Sequence, residues 1–236
     1  MKHLDLFSGI GGFALAARWA GIETVGFCEI KEYPRKVLQK NFPGVPIHND
    51  IKQLDGSEYE SVDLITGGYP CQPFSLAGRN RQGTKDDRHL WPEMLRIITQ
   101  ARPTWVVCEN VVGHITMGLD AVLSDLESEG YAARTFVIPA CAVDAQHKRE
   151  RTWIVAYSGG DGDGRGDRAC QREWKPEETL PDGWRNRRQE DGKWEAEPGV
   201  GRVADGVPGA VDRIRGLGNA IVPQVAYEIL RCLKAH

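Results

Sequence analysis

No apolar run in this chain approaches the roughly 18 residues that a membrane-spanning helix needs, so no membrane segment is expected. Cysteine is sparse: six residues, at 28, 71, 108, 141, 170 and 232, with no short paired spacing. That pattern suggests neither a zinc knuckle nor a disulfide framework, and a reducing cytoplasm is the expected compartment. Neither sign of charge dominates, with 30 Lys and Arg against 33 Asp and Glu and a net charge of −3. The basic footprint usual for nucleic-acid binders is therefore missing from the total, although a local stripe can hide inside it. The start, Met1-Lys2-His3, leads into a strand pattern and not into a signal peptide. What is present, 41% hydrophobic and 27% charged residues over 236 positions, suits a globular protein with one core and a smaller appendage.

Residues 1–157 alternate strand-like and helix-like segments at short spacing. Strands are expected at His3–Phe7, Glu23–Glu29, Val62–Thr66, Thr104–Glu109, Arg134–Ile138 and around Trp153–Val155. Helices are expected at Phe13–Ala20, Lys31–Asn41, Trp91–Ala101, Leu119–Glu129 and Ile221–Lys234. Alternating βα units predict an α/β fold with a mostly parallel sheet and helices on both faces. Between 158 and 200 aliphatic residues nearly vanish, and Trp174, Trp184 and Trp194 are the main bulky anchors. That stretch reads as a small insertion or loop, not a second core. Three units follow: 1–157 for catalysis and cofactor, 158–200 as a reduced recognition segment, and 201–236 as a C-terminal segment whose helix packs back.

Several groups of residues carry chemistry. Cys71 stands between Pro70 and Pro73 just past the strand that ends at Gly67-Gly68, with Tyr69, Gln72, Phe74 and Ser75 completing the loop. Each proline fixes its own φ and restricts the residue before it, so the thiol is held rigidly. Read alone, Cys71 is either a small apolar filler or a thiol aimed at a ligand beyond a strand end. Asp5-Leu6-Phe7-Ser8-Gly9-Ile10-Gly11-Gly12-Phe13 follows a strand and opens a helix, a loop that suits a dinucleotide or a nucleoside equally. Its spacing differs from the pyrophosphate fingerprint, which leans away from NAD. Glu29 and Asp50 end successive strands, where each is either a ribose or adenine ligand or a solvated cap. Glu109 ends the apolar run Trp105–Cys108 and could act as an acid. If strand geometry extends back from Trp153, then His147, Arg149 and Arg151 share one face, for phosphate or base contacts or as a solvated edge.

Taken in order, these blocks resemble the DNA (cytosine-5)-methyltransferase family, in the manner of its compact phage and prophage members. The resemblance rests on the loop 5–13, Glu29, Asp50-Ile51, Pro70-Cys71-Gln72, Glu109-Asn110-Val111, Arg149-Glu150-Arg151, Arg202-Val203 onwards and Gly218-Asn219-Ala220-Ile221-Val222-Pro223-Gln224. It implies a Rossmann-like S-adenosylmethionine-dependent methyltransferase fold with a small irregular target-recognition insertion. It implies that S-adenosyl-L-methionine binds at Phe7, Ser8, Gly9, Gly11, Gly12, Glu29, Ile30, Asp50, Ile51, Gly68, Pro70, Leu90, Asn219, Ala220 and Ile221. It also implies Cys71 as nucleophile on ring carbon 6 of a flipped cytosine, Glu109 on ring N3 and the amine, Arg151 on the carbonyl oxygen, and Arg149 in support. No metal is expected.

Double-stranded DNA is the implied partner, contacted by Gln72, Ser75 and a surface of Arg165, Arg168, Arg172, Arg185, Arg187 and Arg188. A monomer is expected, with a cognate restriction endonuclease as a possible companion. Two departures stand out. His147 takes a place where the family often has Gln, and 158–200 is short and carries 8 Lys and Arg against 11 Asp and Glu. One branch of the family methylates tRNA cytosine with nearly the same motifs, and a non-catalytic relative is the remaining alternative.

Overall fold

The computed structural model describes residues 1–70, 90–116, 118–159, 216 and 218–234. Seven strands form one sheet in the order β3-β2-β1-β4-β5-β7-β6. They are β1 Lys2–Leu6, β2 Glu23–Cys28, β3 Ile47–His48, β4 Leu64–Gly67, β5 Trp105–Val111, β6 Ala132–Ile138 and β7 Arg151–Tyr157. Pairing is parallel from β3 through β5, while β7 runs antiparallel to both of its neighbours. The α/β class with a mostly parallel sheet therefore holds. The five helices described are α1 Gly12–Trp19, α2 Glu32–Asn41, α3 Trp91–Ala101, α4 Leu119–Ser128 and α5 Pro223–Lys234.

Strand alternation divides the core into layers. Ile65, Val106, Cys108, Ile154 and Ala156 point into a cluster with Met94, Ile97 and Leu126 of α3 and α4. Their neighbours Leu64, Val107, Trp153 and Val155 point the other way, against Phe13 of α1 and Leu230 of α5. Continuous apolar runs in β4, β5 and β7 follow from this, because those strands are covered on both faces. Helix α5 buries Val225, Ala226, Leu230 and Leu233, and Lys234 Nζ donates to the carbonyls of Ala20 and Gly21 at the end of α1. A cation there answers the carbonyls left open at a helix C-terminus.

β1 breaks the apolar rule. Leu4 and Leu6 join the α3 cluster, whereas His3 and Asp5, on the opposite face, are fully buried polar residues. His3 Nε2 lies 2.7 Å from Thr66 Oγ1, which donates to Asp5 Oδ1 at 2.9 Å, and His3 Nδ1 lies 3.0 Å from Thr24 Oγ1.

The strand order reverses between β1 and β4. Chain order runs outward from β1 through β2 to β3 on one side, and from β4 to β5 on the other. Ligands of open α/β sheets bind beyond the carboxyl ends of the strands at such a point. Here those ends are Phe7–Gly9 after β1 and Gly68–Pro70 after β4.

Candidate active site at the strand ends

The loop after β1 is folded by backbone conformation. Phe7 has φ 55°, Gly9 φ 52° and Gly11 φ 88°. Only glycine adopts these values without strain, so Phe7 is held where L-residues rarely sit. Ser8 Oγ donates to the Asp5 carbonyl at 2.6 Å and accepts from Cys28 N at 3.2 Å, tying the loop to β2. Glu29, just past β2 and buried, closes the arrangement, since its two oxygens accept from Gly9 N and Lys31 N, each at 2.8 Å. Beside it Ile30 is 67% exposed, the most exposed large apolar side chain among the described residues. Arg35 holds its backbone from below by donating to the carbonyls of Glu29 and Ile30. Asp50, half-buried, accepts from Lys52 N at 3.0 Å. Ile51 turns its side chain into the core with Leu54 and Tyr59, so it can meet a ligand only through its backbone.

This donor set fits a nucleoside. A fixed carboxylate suits vicinal hydroxyls, an exposed aliphatic face suits a purine ring, a second carboxylate suits an exocyclic amine, and the space above Gly9 is open. A cavity of about 370 Å³ lies alongside, between Ile10–Gly12, His147, Arg149 and the segment Ala220–Gln224. It borders the glycine loop without reaching Glu29 or Asp50. Ile221 packs so closely on α1 that a Cβ on Gly12 would stand 2.6 Å from its Cγ1. Asn219 is exposed, Ala220 is half-buried, and Leu90 sits partly buried at the start of α3.

On the other side of the reversal point, β5 and β7 bring a carboxylate and a guanidinium together. Residue 109 stands opposite 153, so Glu109 and Arg151 are diagonal neighbours on one face. Arg151 Nε lies 2.9 Å from Glu109 Oε1. Burial raises the Glu109 carboxyl above its ordinary value, and the guanidiniums of Arg151 and Arg149 oppose that without cancelling it. Gly68 lies against the pair, since a Cβ there would stand 3.4 Å from Glu109 Oε2, an ordinary contact distance. Pro70, half-buried, leads directly into Cys71.

Arg149 corrects the strand-face expectation. β7 begins only at Arg151, and Arg149 has φ 31°, so strand alternation does not extend back through 147–151. Arg149 turns instead to the C-terminal segment, where Nη2 donates to the carbonyls of Gly218 at 2.8 Å and Ala220 at 2.7 Å. It thus clamps both sides of Asn219. His147 reaches the same cavity from the rim. Cys71, Gln72, Ser75, Arg165, Arg168, Arg172, Arg185, Arg187 and Arg188 lie outside the described residues. So do the three tryptophans of 158–200 and the Arg202-Val203 block. Burial pushes the Cys28 thiol up to about 12 and raises that of Cys108 as well, so both stay protonated and unreactive. No cluster of His, Cys, Asp and Glu among the described residues could hold a metal ion, and no described helix is long and apolar enough to cross a membrane.

Sequence reasoning overlooked a ring cluster beside Gly68 and Pro70. Tyr69 and His114 are buried and hydrogen-bonded through Oη and Nε2, and the Tyr69 ring lies 5.1 Å from that of Trp91. His114 had no signal of its own in Val111–His114, whereas Tyr69 lay inside a motif already singled out.

Known proteins bear on these strand ends. A family model described as C-5 cytosine-specific DNA methylase matches residues 1–187. The Type II methyltransferase M.CviJI of Paramecium bursaria Chlorella virus IL3A is 30% identical over 183 residues, covering 76% of this chain and 46% of that protein. M2.BsuMI of Bacillus subtilis strain 168 is 35% identical over 168 residues, covering 66% and 42%. The chain spans about half the length of the curated relatives it matches. Among solved structures, a Dnmt2 variant from Spodoptera frugiperda aligns with TM-score 0.58 at 26% identity, over 68% of this chain and 51% of that one. A prophage-encoded putative DNA modification methyltransferase from E. coli aligns with TM-score 0.57 at 24% identity, over 66% and 46%, a likeness of fold. The chain belongs to the family of C-5 cytosine-specific DNA methylases.

Proposed function

We propose that the chain is a DNA (cytosine-5)-methyltransferase that acts on a base flipped out of the duplex, with Cys71 as nucleophile. The observation that carries this reading is the Glu109–Arg151 pair at the end of β5, beside Gly68, which itself stands three residues before Cys71. A carboxyl whose proton affinity burial raises, beside a guanidinium, matches the ring N3, amine and carbonyl edge of cytosine: its protonated form can donate to the first while its other oxygen accepts from the second. Cys71 thiolate attacks ring carbon 6, forming a C–S bond while the electron pair moves towards carbon 5. Glu109 steadies the charge that appears at N3, and Arg151 the carbonyl oxygen. S-adenosyl-L-methionine, when bound, supplies the methyl group that carbon 5 takes. Loss of the carbon 5 proton to water and expulsion of the Cys71 thiolate then restore the ring, with S-adenosylhomocysteine as the second product. Glu29, Ile30 and Asp50 would hold ribose and adenine, and Arg149 keeps the Asn219 segment against the loop.

Residues 158–200 would choose the target, with the arginines at 165, 168, 172, 185, 187 and 188 facing DNA. If replacing Arg185, Arg187 and Arg188 by Ala leaves DNA affinity and its salt slope unchanged, that assignment fails. The shortness of this segment favours one second reading, a tRNA cytosine substrate for the same site. Methyl transfer to tRNA and not to duplex DNA in parallel assays would decide for it. The central test is covalent capture on duplex DNA containing 5-fluorocytosine in the presence of S-adenosylmethionine. The wild-type protein forms the adduct, Cys71→Ser abolishes it, and Cys28→Ala and Cys108→Ala retain it. No wild-type adduct on DNA or on tRNA removes the catalytic reading.

A further inference from the structure

Resting on that catalytic reading, we propose that His114 is a positioning residue that, through the Tyr69 hydroxyl, fixes the backbone leading into the Cys71 loop. Tyr69 lies two residues before Cys71 and is 3% exposed, and His114 is 2% exposed. Their side chains meet at a hydrogen bond between Oη and Nε2, with ring centroids 5.5 Å apart and planes at 86°. With Nε2 unprotonated, the phenol donates and the imidazole accepts. The Tyr69 backbone is held as well, since its carbonyl accepts from Asn110 Nδ2 at 3.3 Å, next to Glu109. Asn110 is fixed in turn, its Oδ1 accepting from Val111 N at 2.9 Å. One end of the nucleophile loop is therefore tied to the strand that carries the acid.

The far end is tied to the same place. Trp91, the first residue of α3, packs its ring on Tyr69 at 5.1 Å and anchors itself by donating Nε1–H to Asp125 Oδ2 of α4 at 2.8 Å. Tyr69 and Trp91, which flank residues 70–90 in the chain, thus meet in one buried cluster with His114. An apolar ring in place of His114 would fill the space but leave the Tyr69 ring free to turn. A directional bond removes that freedom, and displacement of a nucleophile by about 1 Å is enough to slow a reaction a hundredfold.

A merely structural pair would move the unfolding midpoint and leave the rate intact. Wild type, Tyr69→Phe, His114→Phe and His114→Gln are compared by single-turnover adduct formation on 5-fluorocytosine DNA, S-adenosylmethionine Kd by calorimetry, and thermal midpoint. Tyr69→Phe loses one oxygen and keeps its shape, so it tests the idea even where His114→Phe does not fold. The expected result is a tenfold or greater loss of rate in Tyr69→Phe and His114→Phe, with cofactor Kd within twofold of wild type. Partial rescue is expected in His114→Gln, whose amide oxygen can still accept from the phenol. Wild-type rates in Tyr69→Phe, or a His114→Gln variant no faster than His114→Phe, overturn the proposal while the catalytic reading stands. Absence of an adduct with the wild-type protein overturns both.

Discussion

Replacing His3 by Phe should expose a proton balance buried beneath the glycine loop that follows β1. His3 and Asp5 are fully buried and linked through Thr66. Burial pushes the Asp5 carboxyl from 3.8 up to about 8, which the Thr66 hydrogen bond only partly offsets and the charge of Glu29 reinforces. Burial holds the His3 imidazole down, from 6.5 to about 3. Both groups are therefore neutral in the folded protein near pH 6. Stability changes with pH according to the difference in protons bound by the unfolded and folded states. From about pH 4 to 6.5 the unfolded chain carries an extra proton on His3 and the folded protein one on Asp5, so the two slopes cancel.

Above pH 6.5 only Asp5 contributes. The folded state then holds the extra proton, and stability falls with rising pH by about 1.4 kcal/mol per unit. The fall ends as the carboxyl ionises near 8, a total of about 2 kcal/mol. His3→Phe removes the opposing slope. Its stability relative to wild type should therefore drop by about 1.4 kcal/mol for each pH unit between 4.5 and 6, then run parallel above 7. Asp5→Asn should rise relative to wild type across the whole range from 4.5 to 8. Lost hydrogen bonds displace each curve by a constant and leave its slope alone. Urea denaturation followed by tryptophan fluorescence at half-unit pH intervals measures this directly. Parallel curves for His3→Phe and wild type from pH 4.5 to 6 would refute the assignment of opposed buried titrations.

Glu109→Gln keeps the shape of the pair with Arg151 and replaces the titratable carboxyl with an amide, so single-turnover methylation should slow by about 10²- to 10⁴-fold with cofactor Kd unchanged. Glu29→Gln weakens the charged acceptor shared by Gly9 and Lys31, and bonds to charged groups contribute about 1.5–3 kcal/mol. Cofactor Kd by calorimetry should rise about tenfold to a hundredfold, with the rate at saturation spared. Gly26→Ala would place a Cβ 2.6 Å from Tyr59 Oη and disturb the bond of that hydroxyl to His48. Destabilisation by about 1–3 kcal/mol is expected, and an unchanged denaturation midpoint would count against that packing.

How far the sequence could be read depended on whether information was local. β4, β5 and β7 were legible because a strand buried on both faces is a continuous apolar run, and α3 because its apolar positions recur at helical spacing. Glycines around 9–12 and 67–68 marked the two strand ends that flank the reversal of strand order. Strand alternation misplaces Arg149 because a positive φ interrupts it there, and nothing in Gln146–Arg151 announces that turn. His3 and Asp5 looked like ordinary members of a first strand. Only the fold shows that each is fully buried and meets Thr66 from a strand more than sixty residues away.

The same holds for His114, whose meaning lies in a contact across 45 residues. Chemistry that depends on one residue type at one strand end was visible in order along the chain. Chemistry that depends on two distant side chains sharing a proton was not, since hydrogen-bond complementarity leaves no periodic trace. The sites most open to correction by experiment are therefore the buried polar pairs rather than the motifs. If a His114 variant slows adduct formation while the motif residues stand untouched, the rate of this enzyme is set partly by residues that no pattern along the chain could have selected.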